Sequence, residues 1–254
     1  MNSPNARQDL ARASFTIQGE GFSLSLQATV PAGPVRRVDL LPLARALADA
    51  VVAQTQQAVE AAGQHISCRA GCGACCRSLV AISEVEARRL NSYVHSQPEP
   101  RRSTLLARFD EALAALQCAG LLGALQQWAA WSQPEYRHQL TAYFAAGVPC
   151  PFLEDESCGI YAERPITCRE FLVTSPPRHC GELGSTEVRR VALPVQMFNA
   201  VARWQPREAG DGSEIQERWV PLVLALAWAG QRADESPAQP GPELLSELLN
   251  AING

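Results

Sequence analysis

Cys68-Arg69-Ala70-Gly71-Cys72-Gly73-Ala74-Cys75-Cys76 is the stretch on which the reading of this chain turns. Cys68, Cys72 and Cys75 stand at C-x3-C-x2-C spacing, with Cys76 adjacent. Short spacers let neighbouring thiolates converge on one centre, as in zinc knuckles and iron–sulfur loops. The glycines and alanines between them suit a tight loop wrapped around an inorganic core. Tetrahedral zinc takes four ligands, but Cys75 and Cys76 are vicinal, with Cα atoms about 3.8 Å apart and side chains that tend to diverge. The simpler arrangement splits the pair: one thiol stays with its own loop and the other reaches elsewhere.

Elsewhere is the segment Cys150 to Cys180, which adds Cys150, Cys158, Cys168 and Cys180 among Pro151, Gly159, Pro165, Pro176 and Pro177. Its spacers are longer than a zinc finger's and suit a site assembled by tertiary folding. Together the two segments offer eight thiols. These could build two four-coordinate centres, one polynuclear cluster, or one cluster with spare thiols. Thiolate softness selects zinc or iron–sulfur over magnesium or calcium. Arg69, Arg77, Arg164 and Arg169 lie in or beside these segments and could screen the negative charge, or could be ordinary surface residues. His179 adjoins Cys180 and could replace a thiolate, whereas His65, His95 and His138 have no such company. Cys118, alone in the apolar stretch Leu113–Leu122, reads as a small core residue. Glu154, Asp155 and Glu156 read as a solvated loop.

The remaining chain is mostly helical in pattern. Phe15 to Val30 alternates around Gly19-Glu20-Gly21, which predicts a β-hairpin. Leu40–Ala62 has helical periodicity, with Gly63 as its stop. Ser83 and Glu86 form a capping box for the next helix. Further helices are expected over Ser103–Gln117, Leu121–Trp131, Glu135–Ala146, Val195–Trp204, Ile215–Gln231 and Glu243–Ile252. Gln205–Ser213 and Asp234–Pro242 separate the last three. The fold class is therefore mostly α: a helical domain organised around a cysteine-rich loop core, with a small N-terminal hairpin. We divide it into a hairpin segment at 1–38, a cysteine-cluster metal-binding unit at 39–184 and a C-terminal helical extension at 185–254. The helices near Trp219–Trp228 could present a partner-binding surface, but a core role explains them better.

The chain has 254 residues, 46% of them hydrophobic, enough to bury a core. Its net charge of -4 gives no electrostatic case for nucleic acid or an anionic membrane. All its positive charge is arginine, which excludes Schiff-base chemistry and a P-loop lysine. Met1–Leu10 is polar and does not read as a secretory signal. Val220–Ala229 is too short to span a bilayer, which takes roughly 20 residues. A cytoplasmic location follows as the expectation, and there nine cysteines favour metal over disulfides. C-x3-C-x2-C is also the spacing of enzymes that bind S-adenosylmethionine at a four-iron cluster. That class needs a strand before the loop and strand–helix units after it, whereas helix patterns flank this one.

Cys68-x3-Cys72-x2-Cys75-Cys76, Cys150-Pro151-Phe152-Leu153, Cys158-Gly159-Ile160-Tyr161, Arg164-Pro165 and Cys168-Arg169-Glu170-Phe171 occur in one order. That order resembles the YkgJ-like cysteine-cluster proteins of the CxxCxxCC type, over roughly Ser67–Cys180. The resemblance implies a zinc or iron–sulfur centre, with Cys68, Cys72, Cys75, Cys76, Cys150, Cys158, Cys168 and Cys180 as ligands. It gives Tyr161, Arg164, Pro165 and Phe171 structural roles, with Ile160, Tyr161 and Phe171 shielding the centre. A flagellin lysine methylase shares the cysteine-cluster type, so an iron–sulfur-dependent oxidoreductase or a methyl-transfer enzyme stands as the alternative to a metal-binding protein. No motif here marks a methyl donor, and the resemblance assigns no reaction and no protein partner.

Overall fold

The alternation near the N-terminus builds a hairpin longer than its pattern required. In the computed structural model, which describes residues 9–182, 184–205, 218–233 and 236–253, β1 (Leu10–Gly19) pairs antiparallel with β2 (Phe22–Pro31). The register runs from Leu10↔Pro31 to Gly19↔Phe22, and Gly21 takes the positive φ that the tight reversal demands. Ile17, Ala28 and Val30 lie on the face turned to the core.

A short strand β3 (Pro34–Val35) leads into α1 (Arg37–Ala61), which begins three residues before the periodicity suggested. Gly63, at φ 74, lets its own N–H reach Glu60 O and that of Gln64 reach Val59 O, closing the helix. After the first cysteine loop come β4 (Ala81–Ser83) and α2 (Glu84–His95), with the Ser83/Glu86 capping box formed as expected. Then follow α3 (Arg101–Cys118), α4 (Leu122–Leu125) and α5 (Gln133–Ala146). The second cysteine segment holds β5 (Leu153–Glu154), β6 (Ser157–Cys158) and α6 (Ile166–Glu170). The chain ends with α7 (Met197–Arg203), β7 (Trp219–Pro221), α8 (Ala225–Gly230), β8 (Gln239–Pro240) and α9 (Gly241–Asn253). β8 pairs with β3, and β7 with β4.

Two helical expectations need correction. Leu121–Trp131 is not one helix but α4 followed by a 3-10 turn at Trp128–Ala130. The indoles there seek partners off the helix axis: Trp128 Nε1 donates to Trp219 O at 2.6 Å and Trp131 Nε1 to Ala124 O at 3.2 Å. Of Ile215–Gln231, residues 215–217 lie outside the described residues and Trp219–Pro221 is a strand. Trp219 and Val220 suit a pleated surface, and Pro221 cannot continue a helix through that point. Of Gln205–Ser213 only Gln205 is described, and of Met1–Leu10 only Asp9 and Leu10. No helix among the described residues is long and apolar enough to cross a membrane.

Two apolar clusters stabilise this arrangement. One joins α2, α3, α5 and α8 through Leu90, Phe109, Leu116, Tyr143 and Trp228. The other joins the hairpin to α1, α7 and α9 through Ile17, Leu41, Met197, Trp204 and Leu244. Burying each such large side chain contributes about 1.5–3 kcal/mol. α2 belongs to both, with Val85 in the second and Leu90 and Val94 in the first. Trp228 is core, as its sequence context suggested. The cysteine segments lie where the clusters meet: Cys150 and Cys158 pack against the first, and Ile166 at the start of α6 is buried in the second.

Candidate metal centre

Backbone pairing draws the two cysteine segments together. Ser67 N donates to Val173 O at 2.8 Å, and Cys150 N donates to Cys76 O at 2.7 Å. The Cys68 thiol accepts from Val173 N at 3.4 Å and donates to Phe171 O at 3.6 Å. Gly73 explains the closeness of the approach: a Cβ there would sit 2.5 Å from Glu156 O and 2.6 Å from Leu153 Cδ1. The first loop is thus pressed onto the β5–β6 hairpin that carries Cys158. Asp155 and Glu156 turn that hairpin at φ 47 and 56, a left-handed pair usually given to Asn-Gly. Asp155 and Glu156 are exposed there, in keeping with a solvated loop, whereas Glu154 is partly buried. Glu156 holds Arg77 through two hydrogen bonds, at 2.6 and 3.0 Å, and Glu154 pairs with Arg101 and Arg108.

α6 brings in Cys168. Its first residue, Ile166, donates its N–H to Glu86 Oε1 at 2.7 Å, so the carboxyl that completes the α2 cap also seats α6. Thr167 Oγ1 donates to Ala81 O at 2.6 Å. Arg169 is buried on the far side: it donates to both oxygens of Asp49, to Arg164 O and to Ala162 O. It clamps α6 onto α1 and spends its charge on Asp49. Glu170 caps α7, accepting from Met197 N and Phe198 N. Burial pushes its carboxyl up to about 7.

The electrostatics places thiols of both segments in one field. Cys75 is at its middle, raising Cys68 of its own loop and also Cys150, Cys158, Cys168 and Cys180. Its own thiol is pushed well up, first by a hydrogen bond with Cys76 and then by burial. Cys75 is thus electrostatically linked both to its neighbour Cys76 and to thiols of the second segment. Burial is the leading cause for the others: it takes Cys150 up to about 12 and Cys180 to about 11, and raises Cys68, Cys158 and Cys168. Cys72 joins through its effect on Cys68 and Cys180. Thiols so placed cannot all ionise beside one another without a compensating cation.

All nine cysteines are free thiols. Among the described residues, no three Cys, His, Asp or Glu side chains stand in a geometry that holds an ion. The donor chemistry fits zinc or iron–sulfur. His179 is turned to carboxylates, with Nδ1 3.3 Å from Glu182 and Nε2 3.8 Å from Glu187. Cys118 is the exposed last residue of α3, not a core residue, because the apolar stripe of that helix runs through Leu105, Phe109, Ala112 and Leu116. Ile160 is buried against the site, but Tyr161 is 37% exposed, with the Arg164 guanidinium stacked on its ring at 4.1 Å. The roles of Glu86 and Asp49 had no local signal, since their partners lie 80 and 120 residues away.

Residues 67–189 match the model of the CxxCxxCC family, described as "Putative zinc- or iron-chelating domain". No curated protein and no solved structure matches the chain. The matched span begins beside Cys68 and passes Cys180, so it encloses every cysteine of both segments. Residues 67–189 are thus similar to the CxxCxxCC domain, described as a "Putative zinc- or iron-chelating domain".

Proposed function

We propose that Cys68, Cys72, Cys75, Cys76, Cys150, Cys158, Cys168 and Cys180 together hold a zinc ion or iron–sulfur centre, and that binding this centre is the primary task of the chain. The observation that carries the reading is the backbone pairing of the two cysteine segments, Cys150 N on Cys76 O at 2.7 Å and Ser67 N on Val173 O at 2.8 Å. Zinc would supply folding energy, apparent values for structural sites being about 10–16 kcal/mol. An iron–sulfur centre would supply electron transfer or substrate activation. Its support is the thiol count, which exceeds the four that one zinc ion takes. On that second reading the chain is an iron–sulfur-dependent oxidoreductase or methyl-transfer enzyme.

Elemental analysis and absorbance of anaerobically isolated protein decide between the metals. A colourless protein with zinc that withstands air excludes the iron–sulfur reading. Cys72→Ser and Cys168→Ser, one from each segment, should each lower metal content and stability together. Cys118→Ser should leave metal content unchanged. Equal metal content in all three variants would contradict the shared site.

A further inference from the structure

We propose that the cavity between α6 and the segment leading into α7 binds a small zwitterion, an α-amino acid with an apolar side chain. The inference goes beyond the metal-centre reading and uses none of its ligands. The cavity has a volume of about 320 Å³. At about 30 Å³ per water-sized group it holds about ten non-hydrogen atoms, which suits a leucine or phenylalanine molecule. Thr167 and Glu170 of α6, with Phe171 at its C-terminal cap, line one wall at helical spacing. The opposite wall is held by backbone pairing, Thr174 N on Arg189 O and Val191 N on Leu172 O, both at 2.9 Å. This pairing sets Arg190 beside Phe171, and the guanidinium lies over the ring at 4.9 Å. Leu193 and Phe198 add to the apolar lining.

Two opposite charges line this space without pairing with each other. Glu170 accepts from Met197 N at 2.5 Å and from Phe198 N at 3.0 Å, which fixes the carboxylate and leaves each oxygen a further lone pair. Arg190 forms no ion pair among the described residues and keeps its fork of donors. An ammonium group on Glu170 and a carboxylate on Arg190 would engage both through charge-assisted hydrogen bonds. A ligand with only a carboxylate would meet Glu170, and one with only an amine would meet Arg190, each a like-charge approach. A net-neutral zwitterion balances both charges, while Phe171, Leu193 and Phe198 receive its apolar side chain. Because α6 also carries Cys168, the bound molecule would lie against the helix that joins the cavity to the cysteine segments.

The test is calorimetric titration of the full-length protein, as isolated, with L-leucine and L-phenylalanine at fixed pH and ionic strength. Isoamylamine (leucine without its carboxylate) and isocaproate (leucine without its ammonium) are the comparison ligands. The expected result is one site for leucine or phenylalanine with a Kd of about 1 mM or tighter. Each leucine analogue should bind about 10–100-fold more weakly than leucine, for want of one charge-assisted contact. Arg190→Gln should weaken leucine by a similar factor and leave isoamylamine unchanged, since that ligand has no carboxylate to lose. Ala192→Trp, which fills the cavity from its exposed rim, should abolish binding, with urea unfolding as the fold control for both variants. Absence of binding by both amino acids overturns the proposal, as does either analogue binding as tightly as leucine. Unchanged leucine affinity in Arg190→Gln or in Ala192→Trp also overturns it. If Arg190→Gln does not fold, the ligand series on wild type and the Ala192→Trp result decide.

Discussion

Removing the Glu86 carboxyl should unfasten the cysteine centre from the helical frame. This side chain is fully buried, and its two oxygens serve two structures. Oε2 accepts from Ser83 N and Ser83 Oγ, both at 3.0 Å, while Oε1 accepts from Ile166 N at 2.7 Å. Glu86→Ala leaves two backbone N–H groups buried without partners, at about 1–3 kcal/mol each, so the loss should be about 2–6 kcal/mol. That is a large share of a stability of about 5–15 kcal/mol. Glu86→Gln keeps one acceptor oxygen and turns an NH2 toward a donor, so it should fall between Glu86→Ala and wild type. Ser83→Ala removes only the cap hydroxyl and should cost about 1 kcal/mol. Urea unfolding of the metal-free proteins gives the order, and metal content after gel filtration gives the functional consequence. Because Ile166 begins the turn that carries Cys168, Glu86→Ala should also lose metal more readily. If Glu86→Ala costs no more than Ser83→Ala, the link from α2 to α6 contributes nothing and the reasoning is refuted.

Metal loading should depend steeply on pH. Cys68, Cys75, Cys158, Cys168 and Cys180 are held above their ordinary value and Cys150 up to about 12, so binding metal through them displaces protons and apparent zinc affinity should rise between pH 6 and pH 8. A flat profile would exclude thiolate ligation. Without metal the sign reverses for stability: the contribution of Cys150 is fully present below pH 9 and is lost as pH rises through about 12, which alkaline unfolding curves would register. Glu170, held up to about 7 from an ordinary 4.5, follows the same sign, so its contribution of about 3 kcal/mol is complete below pH 4.5 and lost as pH rises through 7. Glu170→Gln should flatten the stability profile across that window, and an unchanged profile would remove Glu170 as its source. Gly73→Ala, placing a Cβ 2.5 Å from Glu156 O, should cost about 1–3 kcal/mol and reduce zinc affinity by parting the two cysteine segments. Wild-type affinity in that variant would show that the close approach is dispensable.

Features written in local spacing were legible in the sequence. The hairpin alternation, the Ser83/Glu86 box, the Gly63 stop and most helices follow from neighbours within a few positions, and all are present. Misreadings arose where a distant partner overrode the local pattern. Trp219–Pro221 carries an apolar run compatible with helix, but β4 captures it as a strand. Cys118 sits in an apolar stretch, yet the helical angle turns it to solvent. Glu154 looks like part of a solvated acidic run, whereas Arg101 and Arg108 bind it from another element.

By itself the sequence determined where the candidate thiols stand and which metals they would favour, because sulfur identity and close spacing are local properties and soft ligands select their metals. Only the tertiary structure decided that Arg169 spends its charge on Asp49, and that one buried carboxyl serves both a helix cap and the turn bearing Cys168. Those are contacts between residues some 80 to 120 positions apart. No periodicity encodes them, since they exist only after two apolar cores have closed around the junction between them.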